Sequence, residues 1–232
     1  MTKPVCIITG VGPGTGSALA RRFSGDYHVA LVARTDRRIK PLQEELPDSS
    51  AYLCDVTDEA AINETVGKIT RDFGAPTVAL HNAVGGTIGN FLEVDPVALE
   101  TNFKVNTMGM LYLARAVAPA MIKEQKGVII ATGNTSAYRG VENYSAFAPS
   151  KAAQRILMES IARHCGPKGI HVSYVTIDAV ISVPWARKLF KDKPDDFFAH
   201  PKDIAEEIWH ISHQSRSTWS FNYEIRPFGE KW

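Results

Sequence analysis

Short apolar runs alternate with longer amphipathic stretches along the whole chain. The apolar runs, each of the length of a buried strand, lie at residues 5–8, 29–33, 51–54, 77–80, 128–131, 171–177 and 221–225. Predicted helices follow residue 16 and Asp58 and also cover residues 36–46, 96–123, 151–165 and 203–212. This alternation predicts an α/β fold with one doubly wound, mostly parallel sheet and helices on both faces. We see no repeat or linker, so residues 1–232 are expected to form a single domain.

A glycine-rich turn separates the first predicted strand from the first predicted helix. It reads Thr-Gly-Val-Gly-Pro-Gly-Thr-Gly over residues 9–16. Ligands of such sheets bind at the carboxyl ends of the strands, where glycines allow the backbone to approach a pyrophosphate at a helix N-terminus. The turn does not match the common Gly-x-Gly-x-x-Gly motif, because residue 15 is threonine. The glycines at positions 10, 14 and 16 form a different spacing, Gly-x-x-x-Gly-x-Gly. The glycine-rich segment could alternatively be a tight turn with only a structural role. Its position directly after the first predicted strand favours a phosphate-binding turn.

Composition excludes several classes of partner. The chain of 232 residues is 44% hydrophobic and 22% charged, with a formal net charge of +1 and scattered basic residues. We therefore expect one sizeable core and no nucleic-acid or membrane partner. Three distant cysteines are too few for a disulfide framework or a zinc site, so no metal is expected. The longest apolar stretch, 105–121, contains Arg115 and is too short to span a membrane, and no targeting segment is visible, which predicts a cytoplasmic protein.

The glycine spacing and the Asn-Ala pair that follows the fourth predicted strand resemble the short-chain dehydrogenase/reductase family. The resemblance covers essentially the whole chain and implies a Rossmann-type fold with hydride transfer between a nicotinamide cofactor and a carbonyl or alcohol substrate. The cofactor-binding residues that it implies are Thr9, Gly10, Gly14, Thr15, Gly16, Arg34, Asp55, Val56, Asn82, Ala83, Lys151 and Ile181. Asp55 is alternatively a turn former, and His81 is expected to be packed and hydrogen-bonded rather than catalytic.

The end of the second predicted strand indicates which nicotinamide nucleotide binds. Proteins that prefer NAD(H) usually place a carboxylate here to accept the ribose hydroxyls, but this chain has Ala33 followed by Arg34. A guanidinium pairs in a forked geometry with a 2′-phosphate, whereas a carboxylate repels it. NADP(H) is therefore the favoured cofactor, with NAD(H) still possible. Arg37 and Arg38 are expected to be solvated residues at a helix start.

The resemblance further implies a catalytic group of asparagine, serine, tyrosine and lysine, and this chain departs from that pattern. Asn106 and Lys151 match it, whereas Asn134 stands at the serine position. Phe147 stands four residues before the lysine, where the family has its tyrosine. Because a general acid contributes about 10²–10⁴-fold in rate, hydride transfer is expected to be slow without it. Tyr144, three residues before the phenylalanine, is either a substitute acid or a packing residue.

Three functions remain open at this point. The first is an NADP(H)-dependent oxidoreductase with an altered general acid, and the second is a catalytically lapsed nucleotide-binding protein that acts as a sensor or partner subunit. The third and weakest is a structural homologue that binds no cofactor, because the residues that a cofactor would need are all in place. We expect a homo-oligomer, a dimer or a tetramer, because the helices around 100–123 and 151–165 resemble those that pair subunits in this family. A lid at about 180–200 is expected to cover the substrate site, and its residues do not identify the substrate.

Overall fold

The computed structural model describes residues 3–229 of the chain. The strands are β1 (Val5–Thr9), β2 (His28–Ala33), β3 (Ser49–Leu53), β4 (Pro76–His81), β5 (Gly127–Gly133), β6 (Ile170–Ile177), β7 (Val180–Ile181), β8 (Phe198–Ala199) and β9 (Asn222–Ile225). Seven of them form one sheet in the order β3-β2-β1-β4-β5-β6-β9, and every neighbouring pair is parallel. β7 and β8 form a separate parallel pair. The predicted doubly wound α/β fold is confirmed.

Eight α-helices connect and cover the strands of the described chain. They are α1 (Thr15–Phe23), α2 (Asp36–Glu45), α3 (Glu59–Phe73), α4 (Pro96–Phe103), α5 (Gly109–Lys123), α6 (Ala148–Cys165), α7 (Pro184–Leu189) and α8 (Pro201–Ser212). Side-chain caps begin two of them: the Asp58 carboxylate accepts from the Ala61 amide at 3.1 Å, and that of Asp95 accepts from the Val97 amide at 2.9 Å. Within residues 3–229, no helix combines the length and apolar character needed to cross a membrane.

Two predicted helices differ from the observed ones in informative ways. The single helix predicted over residues 96–123 is interrupted by a π-helical turn, Lys104–Met108, between α4 and α5. Such turns are rare and frequently occur at functional sites, and this one contains Asn106. α6 begins at Ala148 rather than at residue 151, because Pro149 lies in its first turn, where the missing N–H costs no hydrogen bond.

The sheet is buried on both faces, and alternate residues of β1 show this directly. Val5 and Ile7 belong to one apolar cluster, whereas Cys6 and Ile8 belong to the other. The first cluster includes residues of α3, α5 and α6: Ile62, Val66, Leu113, Val117 and Met158. The second includes residues of α1, α2 and α8: Leu19, Phe23, Leu42, Ile204 and Ile208. The ends of these strands are therefore rigid supports for the loops that follow them.

The order of the strands reverses between β1 and β4, which are adjacent in the sheet. Connections that leave two such strands diverge to opposite faces and open a crevice at their carboxyl ends. The glycine turn follows β1 and Asn82 follows β4, so both lie at this crevice. The topology thus fixes where a ligand-binding cleft forms.

Candidate active site

The turn after β1 needs glycine at two positions for different reasons. Gly10 has a φ of 76°, and a Cβ atom there would lie 2.3 Å from the backbone nitrogen of Ala83. Gly16 has an ordinary φ, but its Cβ would lie 2.6 Å from the Gly10 carbonyl oxygen. A side chain at either position therefore collides with backbone atoms, and the turn is held tightly against the start of α1.

The first residue of α1 carries a buried polar atom without a partner. Thr15 Oγ1 has no hydrogen-bond partner among the described residues, and Thr15 lines the cleft beside Gly14 and Gly16. Unpaired backbone N–H groups at the same helix end favour an anion. The donor set at this end of the cleft therefore fits a phosphate group.

The cleft has a volume of about 730 Å³ and runs along the carboxyl edge of the sheet. It collects most of the residues that the sequence singled out: Gly10, Gly14, Thr15, Gly16, Arg34, Asp55, Val56, Asn82, Ala83, Asn134, Lys151 and Ile181. Thr9, Asn106 and Tyr144 are not part of its lining. The fold therefore brings residues from widely separated segments into one site.

Thr9 and Tyr144 have other surroundings. The hydroxyl of Thr9 lies 3.0 Å from Nδ1 of His81, so it binds within the sheet rather than in the cleft. Tyr144 precedes α6, lines a second cavity together with Tyr138, and packs edge-on against Phe147 at 5.9 Å between ring centroids. The predicted role of Tyr144 as a substitute acid gains no support from this position.

The end of the cleft beside β2 and β3 is rich in cationic groups. Arg34 follows β2, and Arg38 lies in the first turn of α2. Both line the cleft, and Arg38 is also exposed at the start of α2, as expected of a solvated residue there. The nearby carboxylate of Asp36 is paired with Lys40 at 2.8 Å, which lowers the pKa of Asp36. An anionic group is therefore favoured at this end.

Two polar residues at the strand ends are engaged in local hydrogen bonds. Oδ1 of Asp55 accepts from the backbone N–H of Thr57 at 2.9 Å and from its hydroxyl at 2.8 Å, as expected of a turn former. Asn82 donates from Nδ2 to the Gly10 carbonyl oxygen at 2.9 Å, and its Oδ1 accepts from the hydroxyl of Thr132 at 3.2 Å. Asn82 therefore ties the glycine turn to β5.

Lys151 lies at the opposite end of the cleft and is only 3% exposed. Its ammonium group donates to the backbone carbonyl oxygen of Thr132 at 3.1 Å and to Oε1 of Gln154 at 2.9 Å. Burial lowers the pKa of Lys151 to about 7. His81 lies nearby, and burial together with the lysine charge lowers the pKa of His81 to about 3, so this histidine is neutral at pH 7.

Gln154 connects Lys151 to the π-helical turn. Its Nε2 donates to the backbone carbonyl oxygen of Asn106 at 2.7 Å, and its side chain is fully buried. The side chain of Asn106 is also fully engaged, because it donates to the Gly85 carbonyl oxygen and to Ser150 Oγ and accepts from the Gly85 amide, each at 2.9 Å. Asn106 therefore supports Lys151 through its backbone and does not itself reach the cleft.

Asn134 and Phe147 lie at the same end of the cleft as Lys151. The phenyl ring of Phe147 carries no exchangeable proton, whereas the amide of Asn134 can donate from Nδ2. Asn134 Oδ1 is buried without a hydrogen-bond partner among residues 3–229. This end of the cleft thus presents one amide, one phenyl ring and one lysine to a ligand.

Known proteins similar to this chain identify its family. A family model described as short chain dehydrogenase matches residues 4–193, which is more than half of the chain. The chain belongs to the short-chain dehydrogenase family. It is 27% identical over 225 residues to L-xylulose reductase of Mesocricetus auratus, covering 91% of this chain and 90% of that protein. This assignment makes the protein a relative of oxidoreductases.

Solved structures of other proteins share the fold. ElxO with NADP bound superposes with a TM-score of 0.88 at 24% identity, and 98% of each chain is covered. An ElxO variant with phenylalanine in place of a tyrosine and with NADPH bound gives a TM-score of 0.89 at 23% identity, again with 98% of each chain covered. These similarities confirm the Rossmann-type fold of this short-chain dehydrogenase.

The segment of this short-chain dehydrogenase from β7 to β8 lies over the cleft. Ile181, Val183 and Trp185 line it, and a Cβ atom on Gly14 would lie 2.7 Å from Cγ1 of Val183. The parallel pairing of β7 with β8 closes the segment into a loop, and an ion pair between Arg187 and Asp195 lies within that loop. The segment therefore contacts the glycine turn directly.

Sequence reasoning missed Gln154 and Arg38 as site residues. Gln154 lies three residues after Lys151 on α6, and Arg38 lies four residues after Arg34. The three-residue spacing places Lys151 and Gln154 on one face of α6, so that spacing was an available signal for Gln154. Arg34 precedes α2, so its spacing from Arg38 gave no such signal. The sequence around Gln154, with Ala153 before it and Arg155 after it, gave no indication that its amide would be buried and fully bonded.

Proposed function

We propose that this short-chain dehydrogenase binds NADP(H) and catalyses hydride transfer between the nicotinamide and a carbonyl or alcohol substrate, with an altered general acid. The observation that carries the proposal is the arrangement of the cleft. One end has the glycine turn, the unpaired Thr15 hydroxyl and two arginines, and the other end has Lys151 and Asn134. Dinucleotides bind along this edge of such sheets, with the pyrophosphate at the first helix N-terminus.

The preference for NADP(H) rests on Arg34 and Arg38. Both guanidinium groups line the cleft after β2, where Ala33 stands in place of the carboxylate that would accept ribose hydroxyls. Forked guanidinium–phosphate pairing is specific for a phosphate, and nothing comparable is gained from a free 2′-hydroxyl. The NADP and NADPH bound in the similar ElxO structures are consistent with this preference.

When bound, NADP(H) supplies the hydride, and the chain supplies position and polarity. The glycine turn and α1 would hold the pyrophosphate, and Arg34 would hold the 2′-phosphate. Lys151 would lie beside the nicotinamide end of the cofactor, within reach of its ribose, as the family resemblance implies. Asn134 would donate from Nδ2 to the substrate oxygen, which develops negative charge during reduction.

The usual general acid is replaced at Phe147. Since the family places a tyrosine four residues before the lysine, the phenyl ring at this position removes the usual proton donor. The same observation favours a second candidate function, a nucleotide-binding sensor or partner subunit without turnover. Binding of the cofactor does not depend on the missing hydroxyl under either proposal.

Two measurements on the purified protein separate these functions. Calorimetry with NADPH reports binding, and the decrease in absorbance of NADPH in the presence of a panel of carbonyl compounds reports turnover. We expect both binding and slow turnover. Binding with no carbonyl-dependent oxidation across the panel favours the sensor, and no binding contradicts both functions.

A further inference from the structure

We propose that Lys151, held in place by Gln154, is the group that exchanges a proton with the substrate oxygen in this enzyme. This inference rests on the proposed function, because it needs a carbonyl or alcohol at the Lys151 end of the cleft. It assigns Lys151 a role as proton donor in place of a phenol, and it assigns Gln154 a role as a positioning residue.

Few ionisable side chains line the cleft, and Lys151 is set apart from the others by its position. Among residues 3–229, the ionisable side chains that line the cleft are Arg34, Arg38, Cys54, Asp55 and Lys151. The first four belong to the ends of β2 and β3 or the segments just after them, at the end of the cleft proposed for the adenosine. Lys151 is therefore the one ionisable group of the described cleft lining beside Asn134 and Phe147.

The hydrogen bonds of Lys151 leave one of its protons for a ligand. An ammonium group has three protons. Two are directed to the Thr132 carbonyl oxygen at 3.1 Å and to Gln154 Oε1 at 2.9 Å, and the described residues offer no third acceptor. Since Lys151 lines the cleft, the remaining proton is available to a bound ligand.

Gln154 is well placed to hold this geometry. Its amide oxygen faces the ammonium group, and its amide nitrogen is fixed by the Asn106 carbonyl oxygen at 2.7 Å. That fixation determines which atom of the amide faces the lysine. The contact adds no negative charge, and burial lowers the pKa of Lys151 to about 7.

The other groups packed around Lys151 do not compete for the proton. His81 of β4 is neutral, because its pKa is lowered to about 3 by burial and by the lysine charge. Thr132 of β5 and Asn106 of the π-helical turn are uncharged and contribute carbonyl oxygens. Lys151 is therefore the group whose charge changes near neutral pH at this end of the cleft.

The step balances in the direction of reduction. The carbonyl carbon gains a hydride, with its electron pair, from NADPH, and the π electrons of the carbonyl bond move to oxygen. An N–H bond of Lys151 breaks, its proton forms the new O–H bond, and the lysine is left as a neutral amine. Water restores the proton after the alcohol leaves, and the oxidised product is NADP⁺.

Gln154→Glu tests the inference, with Ile156→Glu as its control. A carboxylate in contact with the ammonium stabilises the charged form, so Gln154→Glu raises the pKa of Lys151 by roughly one unit or more. Ile156 lies on the same helix but is 57% exposed, so the same new charge there is screened by solvent. Comparison of the two variants therefore distinguishes the effect of a carboxylate in contact with Lys151 from the effect of one added negative charge elsewhere on the helix.

The first readout is a titration of protein labelled with [ε-¹³C]lysine, without nucleotide. The Lys151 signal is the one absent from Lys151→Arg. We expect its pKa to be about 7 in the unaltered protein, raised in Gln154→Glu and unchanged in Ile156→Glu. An equal midpoint in all three proteins overturns the role of Gln154.

The second readout is the pH profile of NADPH oxidation with 2,3-butanedione and with benzaldehyde. We expect the rate to fall above the Lys151 midpoint and that limb to move to higher pH in Gln154→Glu. A limb that stays in place while the NMR midpoint moves overturns Lys151 as the donor and leaves the proposed function intact. Bound NADPH with neither carbonyl reduced overturns the proposed function, and the inference with it.

Discussion

A Cβ atom on Gly10 would lie 2.3 Å from the backbone nitrogen of Ala83. The two residues follow β1 and β4, the neighbouring strands at which the strand order reverses. The glycine turn is therefore packed against the next strand end with no space for a side chain. This relationship keeps the turn in the shape that the proposed pyrophosphate site requires.

We expect Gly10→Ala to destabilise the protein and to weaken NADPH binding. The φ of 76° is unfavourable for alanine, and the collision is with backbone atoms, so the loss exceeds about 1 kcal/mol. Thermal unfolding measures the loss as a decrease of roughly 2–4 °C in Tm per kcal/mol. Gly12→Ala is the control for stability, because a Cβ atom at Gly12 would have no neighbour within 4 Å and the φ of Gly12 is ordinary. Equal Tm values for the two variants contradict this account of the turn.

We expect Arg34→Ala to weaken NADPH binding and to leave NADH binding nearly unchanged. A hydrogen bond to a charged group contributes about 1.5–3 kcal/mol, and each 1.4 kcal/mol corresponds to about tenfold in affinity. Arg37 is exposed and does not line the cleft, so Arg37→Ala controls for the loss of net charge. Calorimetric titration with both nucleotides measures the difference. Equal losses for NADPH and NADH, or equal losses in the two variants, contradict a specific contact with the 2′-phosphate.

We expect Phe147→Tyr to accelerate NADPH oxidation. Phe147 already lines the cleft one turn before Lys151, so a hydroxyl there adds a second proton donor, and a general acid contributes at most about 10²–10⁴-fold in rate. Phe147→Leu alters the ring without adding a hydroxyl and is not expected to raise the rate. Steady-state kinetics with the carbonyl panel measures both variants. An unchanged rate in Phe147→Tyr shows that the ring does not face the reacting atoms.

Burial of His81 makes stability depend on acid pH. The pKa of His81 is lowered to about 3 in the folded protein from an ordinary value of 6.5, so the unfolded chain binds the proton first. Unfolding free energy therefore falls as the pH is lowered from about 6.5 towards 3, by up to about 1.4 kcal/mol per pH unit. Urea denaturation across this range measures the slope. The variant His81→Asn has no titrating side chain at this position, so we expect its unfolding free energy to depend less steeply on pH. Identical slopes for the two proteins contradict the assignment of this pH dependence to His81.

The sequence was sufficient to predict the fold class and most of the cleft. The order of strands and helices and the residues just after the strands could be read from hydrophobic spacing and glycines. The break at residues 104–108 could not, because a π-helical turn adds one residue to a helical turn and these five residues include no proline or glycine that would mark a break. The bond from Gln154 to Lys151 was also unpredicted, because it depends on the burial of an amide that ordinarily lies in solvent.

Arg38 shows a different limit of sequence reasoning. An arginine near the start of a helix is ordinarily solvated, and Arg38 is in fact exposed. Arg38 lines the cleft because of the direction in which α2 leaves β2, and the spacing of hydrophobic residues does not encode that direction. Conversely, Tyr144 has a suggestive spacing from Phe147 but lies outside α6 and lines another cavity.

Calorimetric titration of the purified protein with NADPH and with NADH tests the central claim, that the cleft binds a phosphorylated nicotinamide dinucleotide. The account predicts saturable binding of NADPH at one site per chain, with clearly weaker binding of NADH. Absence of binding heat and of measurable affinity for both nucleotides contradicts it.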